Sequence, residues 1–213
     1  MNRIDHFAWS SPSLGDAIAD LERWSGVRAC PGGSHPGMGT RNALVSLGPG
    51  LYLALDGPDP EQVLRDNNGA RMAAQGGYNM DLFAVATDDI EDARKILGTF
   101  GIDAEIRRGS RDTPDGRELR WRHLAVGPTP FGCALPHVAQ WDTHDHPSRE
   151  APGGCTLGSF VVGHPSPRAV VRLYEALGLS VDVVAAPEPV LRVGLRGRRG
   201  PFDLPTGFTM RAA

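Results

Sequence analysis

The stretch Ile4–Val27, IDHFAWSSPSLGDAIADLERWSGV, contains the pattern on which the rest of the chain is built: a short apolar strand, a polar turn, one amphipathic helix and a closing glycine. The pattern returns in Asp81–Ile102, DLFAVATDDIEDARKILGTFGI, and in Leu157–Leu179, LGSFVVGHPSPRAVVRLYEALGL. The equivalent phenylalanines lie 76 and 77 residues apart, at Phe7, Phe83 and Phe160. A period of this kind indicates repeated supersecondary units, each too small to cover its own apolar face.

Each copy also carries start and stop signals for its helix. Ser13 is the expected N-cap of the first helix, Asp88 or Asp89 that of the second, and Ser166, followed by Pro167, that of the third. Glycines that can adopt a left-handed backbone follow the three helices, at Gly26, Gly101 and Gly178. The sequence thus predicts three helices of about three turns each.

Strand-like segments follow each helix and define the predicted fold. The order of elements indicates an α+β protein with two βαβββ units, Ile4–Asp56 and Met80–Trp141, and a shortened βαββ unit, Leu157–Leu195. A connector, Pro60–Asn79, joins the first two units and is predicted to contain a short helix at Glu61–Arg65.

The clearest linker is Asp142–Gly154, which is rich in His, Asp, Pro and Gly. It divides the chain into two predicted domains. Residues 1–148 hold the paired units, and residues 155–213 hold the third element, which is expected to pack on the first domain.

Composition excludes several classes of function. A net charge of −3 gives no basic field for nucleic acid, and no apolar run reaches the roughly 18 residues that a membrane span needs. The start, MNRIDHFAW, lacks the layout of a secretion signal, so the cytoplasm is the expected location. The three cysteines are few, scattered and expected to be reduced: Cys30, Cys133 and Cys155.

Three motifs carry a resemblance to a known family. They are Ile4-Asp5-His6, the glycine-rich stretch Gly32–Leu55 (GGSHPGMGTRNALVSLGPGLYLAL) and Leu135–Ser148 (LPHVAQWDTHDHPS). Together with the tandem units, they resemble the vicinal oxygen chelate superfamily, which includes glyoxalase I, extradiol dioxygenases and antibiotic-resistance proteins. The closer similarity is to its glyoxalase-like domain branch.

The resemblance implies a curved mixed sheet that forms a cup, with a divalent metal held by a His on the first strand and a Glu on the last strand of each unit. His6 fits the first ligand position, but the others fall near Ala54, at Leu82 and between His137 and Gln140, where no carboxylate is present. We therefore predict no cofactor and no tightly bound metal. A metal with His6 as its sole protein contact is the alternative.

His6 is the predicted catalytic residue, because it keeps the family's ligand identity and can act as a neutral base. Its other interpretations are a metal ligand and a structural histidine. His35 and Asn42 are predicted to bind substrate. His35 lies in a glycine-rich loop, Gly32–Gly39, that is expected to cover the pocket mouth, and Asn42 could equally well only fix that loop.

Arg120, Trp121 and Gln140 complete the predicted substrate-binding set. Arg120 and Trp121 are neighbours on a strand, so one of them must face the cup, and an inward arginine would suit a carboxylate or phosphate. Gln140 lies near the fourth ligand position. His144 and His146 are a weak metal-binding signal and are predicted to be exposed.

Two functions from different classes follow. The first is a glyoxalase-like lyase or isomerase that binds a small oxygen-rich molecule in the cup, with His6 as general base. The second is a non-catalytic protein of the resistance type, which would bind or sequester a small molecule without metal. A third interpretation is that the third repeat supports a homodimer and the pocket is degenerate.

Overall fold

The computed structural model describes residues 2–113 and 116–207. The first unit comprises β1 (Arg3–Ser10), α1 (Leu14–Ser25), β2 (Cys30–His35), β3 (Thr40–Gly48) and β4 (Leu51–Pro58), and α2 (Asn68–Ala74) follows it. The second comprises β5 (Asn79–Ala86), α3 (Ile90–Thr99), β6 (Ala104–Asp112), β7 (Glu118–Val126) and β8 (His137–Trp141). The third comprises β9 (Thr156–His164), α4 (Pro167–Ala176), β10 (Asp182–Ala185), β11 (Val190–Gly197) and β12 (Gly200–Asp203).

The first two units join into one eight-stranded mixed sheet in the order β2-β3-β4-β1-β5-β8-β7-β6. Within each unit the first and last strands are parallel, as in β1/β4 and β5/β8. The units meet where β1 and β5 run antiparallel at the centre of the sheet. This is the predicted α+β arrangement of tandem units in a curved sheet, which is confirmed.

The third unit forms its own four-stranded sheet, in the order β10-β9-β11-β12. Its helix connects the parallel strands β9 and β10 directly, and β11 then pairs antiparallel with the other edge of β9. In the first unit, by contrast, the strands β2 and β3 come between α1 and the parallel strand β4. The repeat of sequence is therefore a repeat of the strand–helix half only. The prediction ended this unit at Leu195 and omitted β12.

Two of the three predicted N-caps hydrogen-bond as the sequence predicts, whereas Ser166 precedes α4 without a side-chain capping bond. Ser13 accepts a hydrogen bond from the Asp16 amide at 3.3 Å, and Asp89 accepts one from the Asp92 amide at 3.0 Å. These bonds satisfy amides that have no partner within the helix. The three predicted stop glycines have φ of 73°, 71° and 67°, at Gly26, Gly101 and Gly178.

Packing explains why a phenylalanine occupies the same position in each of the three repeats. Phe7 pairs with Phe83 across β1 and β5. Phe160, from the second sheet, packs against both, with ring centroids 4.9 Å from Phe7 and 5.0 Å from Phe83. Phe7 and Phe83 are fully buried, so the three copies build one shared core on the same face of the large sheet.

Two local predictions need correction. Cys30–His35 is an edge strand that pairs with β3, so only the second half of the predicted loop Gly32–Gly39, from Pro36 onward, is a turn. No helix forms at Glu61–Arg65; the helix begins seven residues later, where the Asn67 side chain caps the Ala70 amide at 3.0 Å. Residues 208–213 of the predicted third domain lie outside the described residues, and the division into two domains stays a prediction.

None of the helices in residues 2–113 and 116–207 has the length and apolar character needed to cross a membrane.

Candidate functional site

The face of the large sheet opposite the shared core holds a cavity of about 560 Å³. Strand alternation creates it: Phe7 and Trp9 of β1 point into the core, while His6 and Ala8 line the cavity. Side chains from both units and from α2 complete the wall. The lining residues include His35, Asn42, Tyr52, Ala54, Asp56, Arg71, Asp81, Leu82, Trp121, His123, His137 and Trp141.

A β-bulge at Asp5 shapes the first part of the site. On β1, Ile4 pairs with Val85 and His6 with Ala84, so Asp5 is an extra residue with no partner on β5. A bulge re-aims side chains at the point where it occurs. Here it lets two consecutive residues interact, and the Asp5 carboxylate contacts the His6 ring, with Oδ2 2.7 Å from Nδ1.

The Asp5 carboxylate is fully buried and accepts hydrogen bonds on both oxygens. Besides His6, it accepts from Trp141 Nε1 at 3.0 Å and from His146 Nε2 at 3.0 Å, both on Oδ1. The Ser148 amide donates to His146 Nδ1, which leaves the His146 proton on Nε2. Burial pushes the pKa of Asp5 up, but the hydrogen bonds from His146 and His6 outweigh it and hold that pKa well below its usual range.

The pairing of Asp5 with His6, called the dyad below, determines which nitrogen of His6 can react. A carboxylate only accepts, so His6 Nδ1 carries the proton, and Nε2 is the nitrogen available to a ligand in the cavity. The His6 ring stacks on Tyr52, with centroids 4.6 Å apart and an interplanar angle of 22°, which fixes its plane. His6 is therefore oriented by a carboxylate on one edge and an aromatic ring on its face.

Asp56 shapes the opposite part of the site and has a different environment. Its Oδ1 is buried without a hydrogen-bond partner, and a side-chain hydrogen bond joins the carboxyl to Asn42. Burial is the main cause that raises the pKa of Asp56 from 3.8 to about 6, and the nearby charge of Asp81 raises it further. The Arg71 guanidinium of α2, the neighbouring cation, donates to Asp81 at 2.5 Å.

Asn42 links His35 to Asp56. Its Nδ2 donates to His35 Nε2 at 3.3 Å, so the His35 proton lies on Nδ1 and is donated to Thr40 Oγ1 at 2.9 Å. A Cβ on Gly32 would lie 2.2 Å from Asn42 Oδ1, so the glycine-rich segment provides close packing for this side chain. Asn42 thus both fixes the segment and lines the cavity.

Two histidines that the sequence did not single out for the site face the cavity from the second unit. The rings of His123 and His137 stack with centroids 5.2 Å apart. Burial is the main cause that lowers the pKa of both rings, that of His137 to about 3, and the opposing effect of the Asp5 carboxylate on His137 is smaller. They are neutral at pH 7 and lie beside Trp121 and Trp141, whose centroids are 5.6 Å apart.

The structure brings together four of the six predicted site residues. His6, His35, Asn42 and Trp121 line the cavity, but Arg120 and Gln140 do not. Alternation turns Arg120 outward once Trp121 faces the cavity, and the Arg120 side chain is 63% exposed.

Gln140 is turned away by the same rule, since His137, Ala139 and Trp141 of its strand face inward. Its side chain accepts from the Ile90 amide at 3.1 Å and donates to the Asp88 carbonyl at 3.1 Å, so it supports the start of α3. The expectation that Arg120 and Gln140 contact the ligand is corrected accordingly.

His146 is the residue that the sequence analysis misjudged most. It was predicted to be exposed, but its side chain is 12% exposed and binds a buried carboxylate 141 residues away in sequence. Its neighbour His144 is exposed as predicted. The sequence offered one signal of an ordered segment, Pro147 directly after His146, and the structure places this proline at the start of the 3₁₀ turn Pro147–Arg149.

The strand register also identifies the four positions that hold the metal ligands in the superfamily. Ala8 pairs with Ala54 on β4, and its counterpart Ala84 pairs with His137 on β8. The positions are thus His6, Ala54, Leu82 and His137, and two imidazoles with two apolar side chains do not fit a four-ligand site. Within residues 2–113 and 116–207, no three His, Cys, Asp or Glu side chains are arranged so that they could hold a metal ion.

The sequence model of the glyoxalase-like domain matches residues 4–178. The chain belongs to the glyoxalase-like domain family. The resemblance to the vicinal oxygen chelate superfamily is thereby confirmed. The match covers both units of the large sheet and the strand and helix that open the third, and no curated protein matches this glyoxalase-like chain by sequence.

Several solved structures align with this chain. A hypothetical protein from Staphylococcus aureus aligns with 97% of this chain and 87% of its own, at 16% identity and a TM-score of 0.59. A Streptomyces coelicolor methylmalonyl-CoA epimerase in complex with 2-nitronate-propionyl-CoA aligns with 68% of this chain and 96% of its own, at 21% identity and a TM-score of 0.46. A Mycobacterium tuberculosis methylmalonyl-CoA epimerase aligns with 65% and 85%, at 16% identity and a TM-score of 0.44.

Proposed function

We propose that this glyoxalase-like protein is a lyase or isomerase that binds a small oxygen-rich molecule in the cavity and moves a proton from a carbon next to a carbonyl. His6 is the general base. The observation that carries the proposal is the Asp5–His6 pair, in which a fully buried carboxylate holds Nδ1 at 2.7 Å and leaves Nε2 for the ligand. A histidine that serves only packing has no need of this orientation.

His6 and the substrate carbonyl account for the proton and the electron pair in the proton-transfer step. Nε2 takes the proton of the carbon adjacent to the carbonyl, and the electron pair of the broken C–H bond becomes an enolate whose charge lies on the carbonyl oxygen. His6 becomes an imidazolium, which the negative Asp5 stabilises. Return of the proton to another carbon, or to the opposite face of the same carbon, gives an isomer. Loss of a leaving group, with its bonding electron pair, from the carbon next to the deprotonated one gives a lyase product.

The cavity wall suits such a reaction. Ala8, Ala54 and Leu82 form an apolar floor beside His6, which leaves room for a ligand and keeps the base away from competing charges. Arg71 is the arginine among the lining residues, but it is paired with Asp81, so the His6 imidazolium is the cation that faces the enolate. The proposed steps use protein groups alone. We include no metal in them because the superfamily's ligand positions carry too few donors in this chain.

The second candidate is a binding protein without catalysis, and the aromatic lining favours it. Tyr52, Trp121 and Trp141 give the cavity flat apolar faces that would retain a planar molecule. The two candidates differ in what His6 does, since a base is needed for turnover but not for retention.

Solvent exchange separates them. Acetoin and 2-hydroxycyclohexanone are incubated with the protein in D₂O, and loss of the proton signal next to the carbonyl is followed by NMR. We expect exchange to be at least 10²-fold faster with the parent protein than with His6→Asn. The matched control is His144→Gln, an exposed histidine, which should keep the parent rate.

Binding of both probes is measured in parallel by saturation-transfer NMR. Binding without exchange in the parent protein would support the binding-protein candidate and overturn the catalytic one. Equal exchange with parent and His6→Asn would show that His6 is not the base.

A further inference from the structure

The cavity contains polar atoms that the fold itself leaves without partners. Among the described residues, three buried side-chain atoms lack a hydrogen-bond partner: Asn42 Oδ1, Asp56 Oδ1 and His123 Nδ1. All three residues line the cavity. Buried polar atoms are usually paired, and three exceptions in one cavity indicate a ligand that supplies the missing partners.

The chemistry of the unpaired oxygens specifies the ligand group. Asn42 Oδ1 and Asp56 Oδ1 are both acceptors, and they lie on directly paired residues of β3 and β4. An acceptor pair is satisfied by a donor and repels a carboxylate or phosphate. The charge balance agrees, because Asp56 and Asp81 both line this part of the cavity, and the Arg71 cation is already paired with Asp81.

We propose that Asp56 and Asn42 form a subsite for a protonated amino group, so that the ligand is a small oxygen-rich amine and not an acid or a phosphate ester. This inference rests on the proposed function for the rest of the ligand, whose carbonyl side faces His6. An inward Arg120 would have suited a carboxylate or phosphate, but the Arg120 side chain is 63% exposed and does not line the cavity.

The position of the subsite sets the length of the ligand. On the cavity face, His6 pairs with Tyr52, Ala8 with Ala54, and Ser10 with Asp56. Asp56 is therefore four residues along from the level of His6, about 13 Å between Cα positions. The side chains between them are alanines, so a molecule of about one ring can lie on this floor, with its amine at Asp56 and its reacting carbon near Nε2.

The test uses three probes of similar shape: benzylamine, benzyl alcohol and benzoate. Their affinities are measured by NMR titration at pH 7.5. With the parent protein, we expect benzylamine to bind about tenfold more tightly than benzyl alcohol, because a charge-assisted hydrogen bond forms at Asp56, and benzoate to bind more weakly than either. Benzoate binding as tightly as benzylamine would overturn the inference without any variant.

Two variants locate the effect. Asp56→Asn should reduce the benzylamine preference to less than twofold, whereas Asp103→Asn, which changes an exposed aspartate, should leave it unchanged. An intact preference in Asp56→Asn would place the amine elsewhere and refute the subsite.

The outcomes remain separable from those of the exchange assay, which uses probes without an amine. Amine preference without exchange would sustain the subsite and refute the catalytic proposal, and exchange without amine preference would do the reverse.

Discussion

Asp5 and Asp56 lie on neighbouring strands of the same sheet beside one cavity. The Asp5 carboxylate is fully buried, and the Oδ1 atom of Asp56 is buried. Their environments differ in the number of donors. Asp5 accepts from His6, Trp141 and His146, and its pKa falls, whereas Asp56 has an unpaired oxygen and a pKa raised to about 6. Burial raises the pKa of both, so hydrogen-bond donors decide the sign of the net shift.

The two carboxylates therefore suit different roles in the site. A carboxylate with three donors is rigid and can orient a base, whereas one with an open acceptor can receive a ligand. The second unit contains a counterpart of Asp5 with different neighbours. Asp81 occupies the position of Asp5 in the second unit and is also a bulged residue, skipped where Ala8 pairs with Leu82 and Trp9 with Met80. Its donors are Arg71 and Asn79, and the residue after it is Leu82 in place of a histidine.

The largest expected effect is the loss of Asp5. Asp5→Ala leaves the His6, Trp141 and His146 donors without their buried acceptor, and we expect the free energy of unfolding to fall by about 3–5 kcal/mol. Urea denaturation at pH 7 measures the change, with Asp103→Ala as the exposed control. The pKa of Asp5 is lower in the folded state than its unfolded value of about 3.9, so ionised Asp5 stabilises the parent above about pH 4. This stabilisation is lost as the pH falls, and the difference in unfolding free energy between parent and variant should become smaller below pH 4. A loss under 1 kcal/mol would contradict the central role of this network.

Asp56→Asn should act in the opposite direction. The pKa of Asp56 is raised in the folded state from 3.8 to about 6, so its ionisation costs stability as the pH rises through this window. We expect the variant to be more stable than the parent at pH 8 by up to about 3 kcal/mol, and equal to it below pH 4. Denaturation at pH 3.5, 5 and 8 tests the trend. A destabilised variant at pH 8 would show that Asp56 is satisfied in the folded protein.

His146→Ala should have a smaller effect, because it removes one of the donors to Asp5 and leaves the others. We expect a loss of about 2 kcal/mol in stability and a slower exchange reaction, since Asp5 then holds His6 less firmly. His146→Gln, which can still donate to Asp5, should recover part of both. If neither variant changes the exchange rate, His146 does not contribute to the position of the dyad.

The smallest expected effect on stability is that of His6→Ala. The His6 side chain is 18% exposed on the cavity side, so water can replace its hydrogen bond to Asp5, and the change should stay within about 1–2 kcal/mol. Exchange activity should be lost at the same time. Thermal melts and the D₂O assay on one preparation separate these outcomes. A variant that unfolds would identify His6 as a structural residue instead.

The sequence by itself determined the local and repeated features of this protein. The three strand–helix copies, the caps at Ser13 and Asp89 and the stop glycines are decided by neighbours a few residues apart, and the structure shows them as predicted. The curved sheet could be predicted because two equal units must cover their apolar faces together. Alternation along β7 likewise limited the inward residue to Arg120 or Trp121.

Tertiary structure alone decided how the site is assembled. The bulge at Asp5, the return of His146 across 141 residues and the unpaired oxygen of Asp56 depend on register and long-range packing. A shift of one residue in register reverses which face a side chain occupies, and no local pattern fixes it, which is why Gln140 was placed wrongly. The sequence singled out His6, and the pairing of strands supplied its carboxylate partner, Asp5, and the unpaired oxygen of Asp56.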